Sequence, residues 1–356
     1  MKVLLYRRSL DLDSGAGQLM LMQARGLEAS GVDVQLACHH GGIEFFLRTG
    51  WLPRRVSGTK LAALKRASAC IVVDHGMEIA DADLVFVHNV AAEANEYLQR
   101  GDVAERAARE AVFFGALERD TPIVANSQLA KAALIKHFGL TAERIAVHYP
   151  GFQADKFQAR RTQALRLRAR RALHVDAATP LIGFVTSGDF HKRGLDLFVE
   201  AAAEIARAVP NAKFLVVGSK RLPDWALQHS LVVDGTLLHR PKNRRPELML
   251  AALDVFLYAA RFEEFGMVVL EAQACGIPIV TSRRVGAAEC LPPCYEPWLL
   301  DAPDANRFAA MTVALLADPR ARSELAAAGI DNAAAFDHRA HERGAIAAIR
   351  ALETAA

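Results

Sequence analysis

The chain has 356 residues, 52% of them hydrophobic and 23% charged, with a formal net charge of +3. That length allows two domains of ordinary size with ample core in each. The near balance of charge gives no global reason to expect nucleic acid, and no apolar run approaches the roughly 18 residues that span a bilayer.

The opening strand, Val3–Tyr6, is too short for the apolar region of a signal peptide, because Arg7 and Arg8 follow at once. Five cysteines without regular spacing argue for a reducing compartment, so the expected location is cytoplasmic. After that strand come a loop ending in Ser14-Gly15-Ala16-Gly17, a helix from about Gln18 to Ser30, and a strand over Val32–Ala37. This is a β-α-β unit with glycines where the chain turns into the helix. Gly15 and Gly17 permit a tight turn, but the run lacks the third glycine of a dinucleotide fingerprint.

Further strands are expected at Cys70–Val73, Leu84–His88, Ile123–Ala125 and Ile145–His148. Phe113 and Phe114 lie on a helix with Arg106 and Arg109, and either pack in a core or meet a membrane. A break runs from Tyr149-Pro150-Gly151 to Phe157. Beyond it Arg160, Arg161, Arg166, Arg168, Arg170 and Arg171 occur with no acid among them. Leu165, Ala169, Ala172 and Leu173 fall at helical spacing, which reads as a helix docked by a narrow stripe. Its arginines would then lie in solvent or face an anionic surface.

The second half restarts with strand Leu181–Thr186, a helix from about Leu195 to Val209 and strand Lys213–Val217. A helix near Pro246–Leu253 and strands Val255–Tyr258 and Ile277–Thr281 follow. Such alternation specifies a parallel, doubly wound sheet in each half. The expected domains are residues 1–157 and 158–337, with a last helical stretch from about Arg339 after a break at Phe336-Asp337-His338. Two Rossmann-like domains facing across a cleft would place a ligand at the carboxyl ends of their strands.

Between the last two of those strands the chain reads Glu263-Glu264-Phe265-Gly266-Met267-Val268-Val269-Leu270-Glu271. Phe265 and Gly266 end a loop, so the N–H groups around Met267 and Val268 start a helix and attract phosphate. Glu263 precedes that anion site, and Glu271 lies about one turn into the helix. Ionised carboxylates only accept hydrogen bonds, which suits recognition of diols on either side of a diphosphate. A glycosidase pair fits less well. The helical span would be ~12 Å, beyond the roughly 5–5.5 Å or 6.5–9.5 Å between carboxylates in those enzymes.

The run from Asp254 to Ser282 closely resembles the donor-binding segment of the retaining GT-B glycosyltransferases of family 4. Their usual form is Glu-Gly-Phe-Gly-Leu, then Leu-Glu-Ala on the helix and Gly-x-Pro before the next strand. Here Glu264 replaces the usual glycine and Met267 the usual leucine. The loop Ser187-Gly188-Asp189-Phe190-His191-Lys192-Arg193-Gly194 resembles the lipopolysaccharide-core branch, with Arg193 where the family carries lysine.

The resemblance implies a nucleoside diphosphate sugar as donor, with retention of anomeric configuration. Glu271 would hold the ribose and Glu263 the sugar hydroxyls. Lys192, Arg193 and the helix start at Gly266, Met267 and Val268 would stabilise the departing diphosphate. Lysine and arginine are equal in charge but not in geometry. Gly15 and Gly17 match the loop that approaches the donor phosphates, and Lys156 is a third cation at the domain junction. His88, ending a domain-one strand, matches a histidine set against the transferred sugar; His39 and His40 have a looser claim. Asn126-Ser127 matches a structural motif, and the last helix is expected to cross back to the first domain.

No cofactor or metal is expected. Cys290 and Cys294 have no second pair. Asp11-Leu12-Asp13 and Asp81-Ala82-Asp83 match the Asp-x-Asp of metal-dependent glycosyltransferases, but in the wrong architecture. The partners implied are the donor, a glycan or lipid-linked glycan acceptor in lipopolysaccharide or exopolysaccharide assembly, and an anionic membrane surface at the inner face of the cytoplasmic membrane. Two other readings stay open. A sugar-nucleotide epimerase of the same fold would release nucleotide without an acceptor. A non-catalytic binding partner would keep a donor site partly degraded at Glu264 and Lys192-Arg193.

Overall fold

The computed structural model describes residues 1–356 apart from 11, 13–14, 42, 57–59, 62–64, 66–69, 243–244 and 356, with the backbone alone at 41, 354 and 355. It divides into two compact units, Met1–Gly151 with His338–Ala356, and Phe152–Asp337. The seam lies at Gly151 rather than near Phe157. The Phe152 N–H donates to the Phe336 carbonyl at 3.3 Å, and Phe152 bridges Asp337, which ties this segment into the second unit.

The first unit is built on a seven-stranded sheet of order β3-β2-β1-β4-β5-β6-β7. The strands are β1 (Lys2–Leu10), β2 (Asp33–Gly41), β3 (Arg54–Arg55), β4 (Ile71–Asp74), β5 (Leu84–Val87), β6 (Ile123–Ala125) and β7 (Ile145–Val147), all parallel. A parallel sheet is covered on both faces, so β1 is apolar at consecutive positions. Leu4 and Tyr6 join the cluster that holds Phe113 and Phe114. Val3 and Leu5 join the opposite cluster with Leu27, Leu36 and Ile349. Phe113 and Phe114 are therefore core residues, Phe114 packing on Phe138 with ring centroids 4.5 Å apart, and neither is available to a membrane.

β1 and β2 run past their apolar stretches, pairing through Ser9–His40 and Leu10–Gly41. Ladder hydrogen bonds sustain this extension where side-chain burial no longer drives it. The terminal helix, His338–Ala355, packs on the helix Gly15–Ala29, with Ile346 against Gly26 and Gln23 Nε2 3.2 Å from His341 Nε2.

The second unit is built on a six-stranded parallel sheet, order β10-β9-β8-β11-β12-β13. Its strands are β8 (Leu181–Val185), β9 (Lys213–Gly218), β10 (Leu237–Pro241), β11 (Val255–Leu257), β12 (Ile279–Ser282) and β13 (Leu299–Leu300). The arginine-rich stretch is a helix, Ala159–Leu173, but its arginines do not all face solvent. Arg170 is only 2% exposed; it reaches the Ala252 carbonyl at 2.7 Å and Asp254 Oδ2 at 3.2 Å. Arg166 pairs with the same carboxylate at 2.5 Å, and Asp254 also accepts the Leu181 N–H at 2.8 Å. One half-buried acid thus fixes the amino ends of β8 and β11, while Arg160, Arg161, Arg168 and Arg171 remain exposed. Because β8 and β11 are parallel neighbours, the loops that leave them emerge side by side.

Candidate active site

Those two loops carry most of the residues singled out in the second domain. The loop after β8 is shaped by Asp189, whose Oδ1 accepts the His191 N–H at 2.8 Å, and by Gly194, which caps the next helix in the left-handed conformation. Arg261, from the loop after β11, locks the two together. Its Nη1 donates to the His191 carbonyl at 2.9 Å and to Asp196 at 2.7 Å, and its N–H donates to the Lys192 carbonyl at 3.0 Å. Sequence reading passed over Arg261, whose acidic partner Asp196 is distant in the chain.

The structure brings Lys192, Arg193, Glu263 and Glu264 into one ionic group. Lys192 Nζ lies 2.5 Å from Glu264 Oε2, and 5.7 Å from the centre of the Phe262 ring. Arg193 is ion-paired with Glu263, which also accepts the Tyr258 hydroxyl at 3.1 Å. Burial alone would lower the Arg193 pKa, yet Glu263, Tyr258 and Glu264 outweigh it and hold it above the usual range. Burial would likewise raise the Glu264 carboxyl, but Lys192 and Arg193 outweigh that and hold it below the usual range. Glu264, the residue that replaces the family's glycine, is therefore the countercharge of Lys192. Glu263 is not an unengaged acceptor for sugar hydroxyls, since Arg193 and Tyr258 already use it.

Behind this group the Glu263 N–H donates to the Arg284 carbonyl, and the Gly286 N–H donates back to the Glu263 carbonyl, both at 2.9 Å. Gly266 is left-handed (φ 90°) and offers no side chain to cap the helix Met267–Ala274. The first N–H groups of that helix, at Met267 and Val268, are thus oriented for an anion.

Glu271 follows one turn later and stands apart from the ionic group. It is half-buried, and its carboxylate makes no hydrogen bond or ion pair among the described residues. Burial, opposed by Lys156 and reinforced by Glu247, raises its pKa to about 7. Lys156 lies 3.8 Å from Glu247, a buried acid that no sequence motif marked.

The first-domain candidates belong to the other compact unit. Gly15 and Gly17 form the opening turn of the helix Gly15–Ala29 rather than a loop before it, with Gly17 buried. His88 follows β5 and lines a small cavity with Asn126, His148 and His341. Its Nε2 is 3.0 Å from His75 Nδ1, and that buried ring stacks on Phe86 with centroids 4.9 Å apart. Burial, helped by Arg7 and His341, lowers the His88 pKa to about 3, so the ring is neutral at ordinary pH. His39 Nδ1 and His40 Nε2 lie 2.8 Å apart, away from these contacts.

Asn126 donates to the His88 carbonyl at 3.0 Å, and Ser127 caps a helix by accepting the Ala130 N–H at 2.9 Å. Asp83 accepts the Val72 N–H at 2.7 Å and pairs with Lys65, so it serves the fold. Asp11 and Asp13 lie outside the described residues. Elsewhere Glu93, Glu96 and His137 approach one another as metal ligands do, but Lys136 already bridges both carboxylates at 2.9 and 2.6 Å.

Residues 167–332 match the sequence family described as glycosyl transferases group 1. A D-inositol 3-phosphate glycosyltransferase of Segniliparus rotundus is 29% identical over 273 residues, which cover 74% of this chain and 60% of the relative. The chain thus spans about three fifths of the length of the curated relatives it matches. Among solved structures, WaaG, a glycosyltransferase involved in lipopolysaccharide biosynthesis, superposes with a TM-score of 0.79 at 20% identity, covering 98% of this chain and 99% of its own. Anabaena HepE in complex with UDP-glucose gives 0.77 at 16% identity, covering 99% and 100%. Both domains have the Rossmann-like parallel-sheet fold of these GT-B proteins.

Proposed function

We propose, from a second domain that matches the group 1 glycosyl transferases over residues 167–332, that this chain is a hexosyltransferase using a nucleoside diphosphate sugar. The observation that carries the reading is Glu271. It is a half-buried carboxylate with no partner of its own, set one turn beyond uncapped N–H groups at the start of a helix. An acceptor-only group beside an anion site suits a ribose attached to a diphosphate. The structural neighbour HepE is in complex with UDP-glucose, which supports a donor of that class.

In this mechanism the diphosphate departs towards the helix start at Met267 and Val268, with Lys192 and Arg193 offsetting its growing charge. Glu263 and Glu264 hold those two cations in place. An acceptor hydroxyl on a lipopolysaccharide-core or other bacterial glycan then attacks the anomeric carbon from the same face, its proton passing to the departing diphosphate, and the anomeric configuration is retained. Fixed cations and backbone N–H groups supply the charge stabilisation, so the proposal calls for no metal.

Calorimetric titration with UDP, GDP, ADP and CMP, native chain against Glu271→Ala, tests the proposal. One diphosphate is expected to bind, and the variant to lose about 1.5–3 kcal/mol, roughly ten- to hundred-fold in affinity. Failure of a folded sample to bind any nucleotide at millimolar concentration would refute the donor site.

Membrane contact is proposed at a place the sequence did not suggest. Ile43, Phe46, Leu47 and Leu52 are all exposed within one short stretch, beside exposed Arg54 and Arg55. Among the described residues no helix is long and apolar enough to cross a membrane, but an apolar ridge next to arginines suits an anionic lipid surface. The native chain should sediment with anionic vesicles more than with neutral ones, and Ile43→Asp with Leu47→Asp should abolish the difference. Equal sedimentation with both vesicle types would remove this partner.

A further inference from the structure

Tyr258 carries a hydroxyl where a phenylalanine would pack as well. It directly follows β11 and is 1% exposed, with ring centroids 5.5 Å from Phe256 and 6.3 Å from Phe184. The sheet holds its backbone: the N–H donates to the Val280 carbonyl and the carbonyl accepts the Thr281 hydroxyl, both at 2.9 Å. A hydroxyl in such a place costs free energy unless it is hydrogen-bonded. Among the described residues its partner is Glu263 Oε2, at 3.1 Å.

That oxygen is also the one that pairs with Arg193 Nη1. The guanidinium lies close over Gly188, where an added Cβ would be 3.2 Å from Nη2 and 3.3 Å from Nε. The chain of Tyr258, Glu263 and Arg193 abuts the start of the anion-facing helix. A Cβ at Gly266 would meet Glu263 Cγ at 3.1 Å and Tyr258 Cε1 at 3.4 Å, so the bare glycine lets both side chains come this close. Burial, reinforced by Glu263, holds the Tyr258 hydroxyl well above its usual range, so it stays a donor.

We propose that Tyr258 is a positioning residue for Arg193: its hydroxyl pins Glu263 Oε2, and the pinned carboxylate fixes the guanidinium relative to the helix start at Met267. The proposal rests on the donor site described above and adds to it the group that keeps one of its cations from following the ligand.

A cation held in one place favours charge that develops there, because nothing has to reorganise as the diphosphate leaves. A loosened one follows whichever ligand is present and tells the two states apart less well. The free nucleoside diphosphate stands for the departing group, with the negative charge that the bond to the sugar removes. Its sugar nucleotide stands for the state before transfer. The ratio of the two affinities therefore reports the placement of Arg193. A hydroxyl that merely stabilised the fold would, when lost, weaken both ligands alike.

The experiment is calorimetry at about pH 8, where the terminal phosphate, which titrates near 6, is ionised. The ligand pairs are UDP with UDP-glucose, GDP with GDP-mannose and ADP with ADP-glucose, and the pair that binds is carried forward. The native chain should prefer the free diphosphate. Tyr258→Phe keeps the ring and should lower that preference about ten-fold, while binding the sugar nucleotide nearly as well as the native chain does. Gly188→Ala displaces the same guanidinium without touching Tyr258 and should lower the preference too. Adding Tyr258→Phe to a chain that already carries Arg193→Met and Glu263→Leu should lower it no further, because the residues it acts through are gone. A native chain without the preference, an unchanged ratio in either single variant, equal weakening of both ligands, or a further loss in the chain lacking Arg193 overturns the inference and leaves the donor site standing. No binding of any pair by folded native chain overturns both.

Discussion

Replacing Arg193 with alanine is expected to destabilise the second domain by about 3–5 kcal/mol, because it leaves Glu263 buried opposite nothing. Glu263 is 7% exposed, and its remaining contact, the Tyr258 hydroxyl at 3.1 Å, is neutral. Glu264 adds a second buried negative charge whose balance is shared between Lys192 and Arg193. For a domain of this size, that loss corresponds to roughly 6–20 °C in thermal midpoint. The matched control removes both charges at once, as Arg193→Met with Glu263→Leu. If the cost is the orphaned carboxylate, the double variant should regain most of the lost stability while binding donor poorly. A double variant as unstable as the single one would mean that the arginine acts through packing, and the electrostatic account of this loop would fail.

The same four charges show where the sequence could be read and where it could not. The loop after β8 and the Glu263–Glu271 run were each visible, because glycines, apolar strands and charged residues mark them at close range. Their pairing was not visible. Glu264 in place of glycine and the order Lys192-Arg193 read as two separate departures from the family, and together they kept open the alternative of a partly degraded site. In the structure the Lys192–Glu264 contact joins them, so one departure balances the other. Pairing across neighbouring parallel strands depends on sheet order, which short-range patterns do not encode.

A related limit explains the strands that went unread. Arg54–Arg55, Leu237–Pro241 and Leu299–Leu300 all lie at sheet edges, where strands are short and half exposed and carry Arg, His and Pro. Central strands such as Leu181–Val185 are apolar throughout because helices cover both faces, so they stand out in the sequence. Arg166 and Arg170 misled for the converse reason. Their helix is amphipathic, but a single half-buried acceptor, Asp254, turns two of its arginines inward. Glu247 lacked any signal at all, since one acid early in a helix is ordinary.

Gly194→Ala should be the most damaging single-methyl addition near the site, and a second glycine makes the reason testable. Gly194 and Gly235 both hold left-handed backbone, at φ +72° and +75°. Alanine at either position bears the left-handed penalty of about 1–2 kcal/mol. At Gly235 the added Cβ meets nothing within 4 Å, so that penalty should be the whole effect. At Gly194 it would sit 2.0 Å from the Ala259 carbonyl oxygen, backbone that has no rotamer by which to yield. The loop after β8 must then move away from the loop after β11, adding about 1–3 kcal/mol of overpacking cost. That movement would draw Lys192 and Arg193 from Glu264 and Glu263, and the Arg261 clamp from the His191 carbonyl. Gly194→Ala should therefore lose donor affinity as well as stability, whereas Gly235→Ala should lose stability alone. Denaturation and calorimetry on the two variants separate the outcomes. Equal losses of stability with donor binding intact in both would show that the close approach of these two loops does not hold the cations in place.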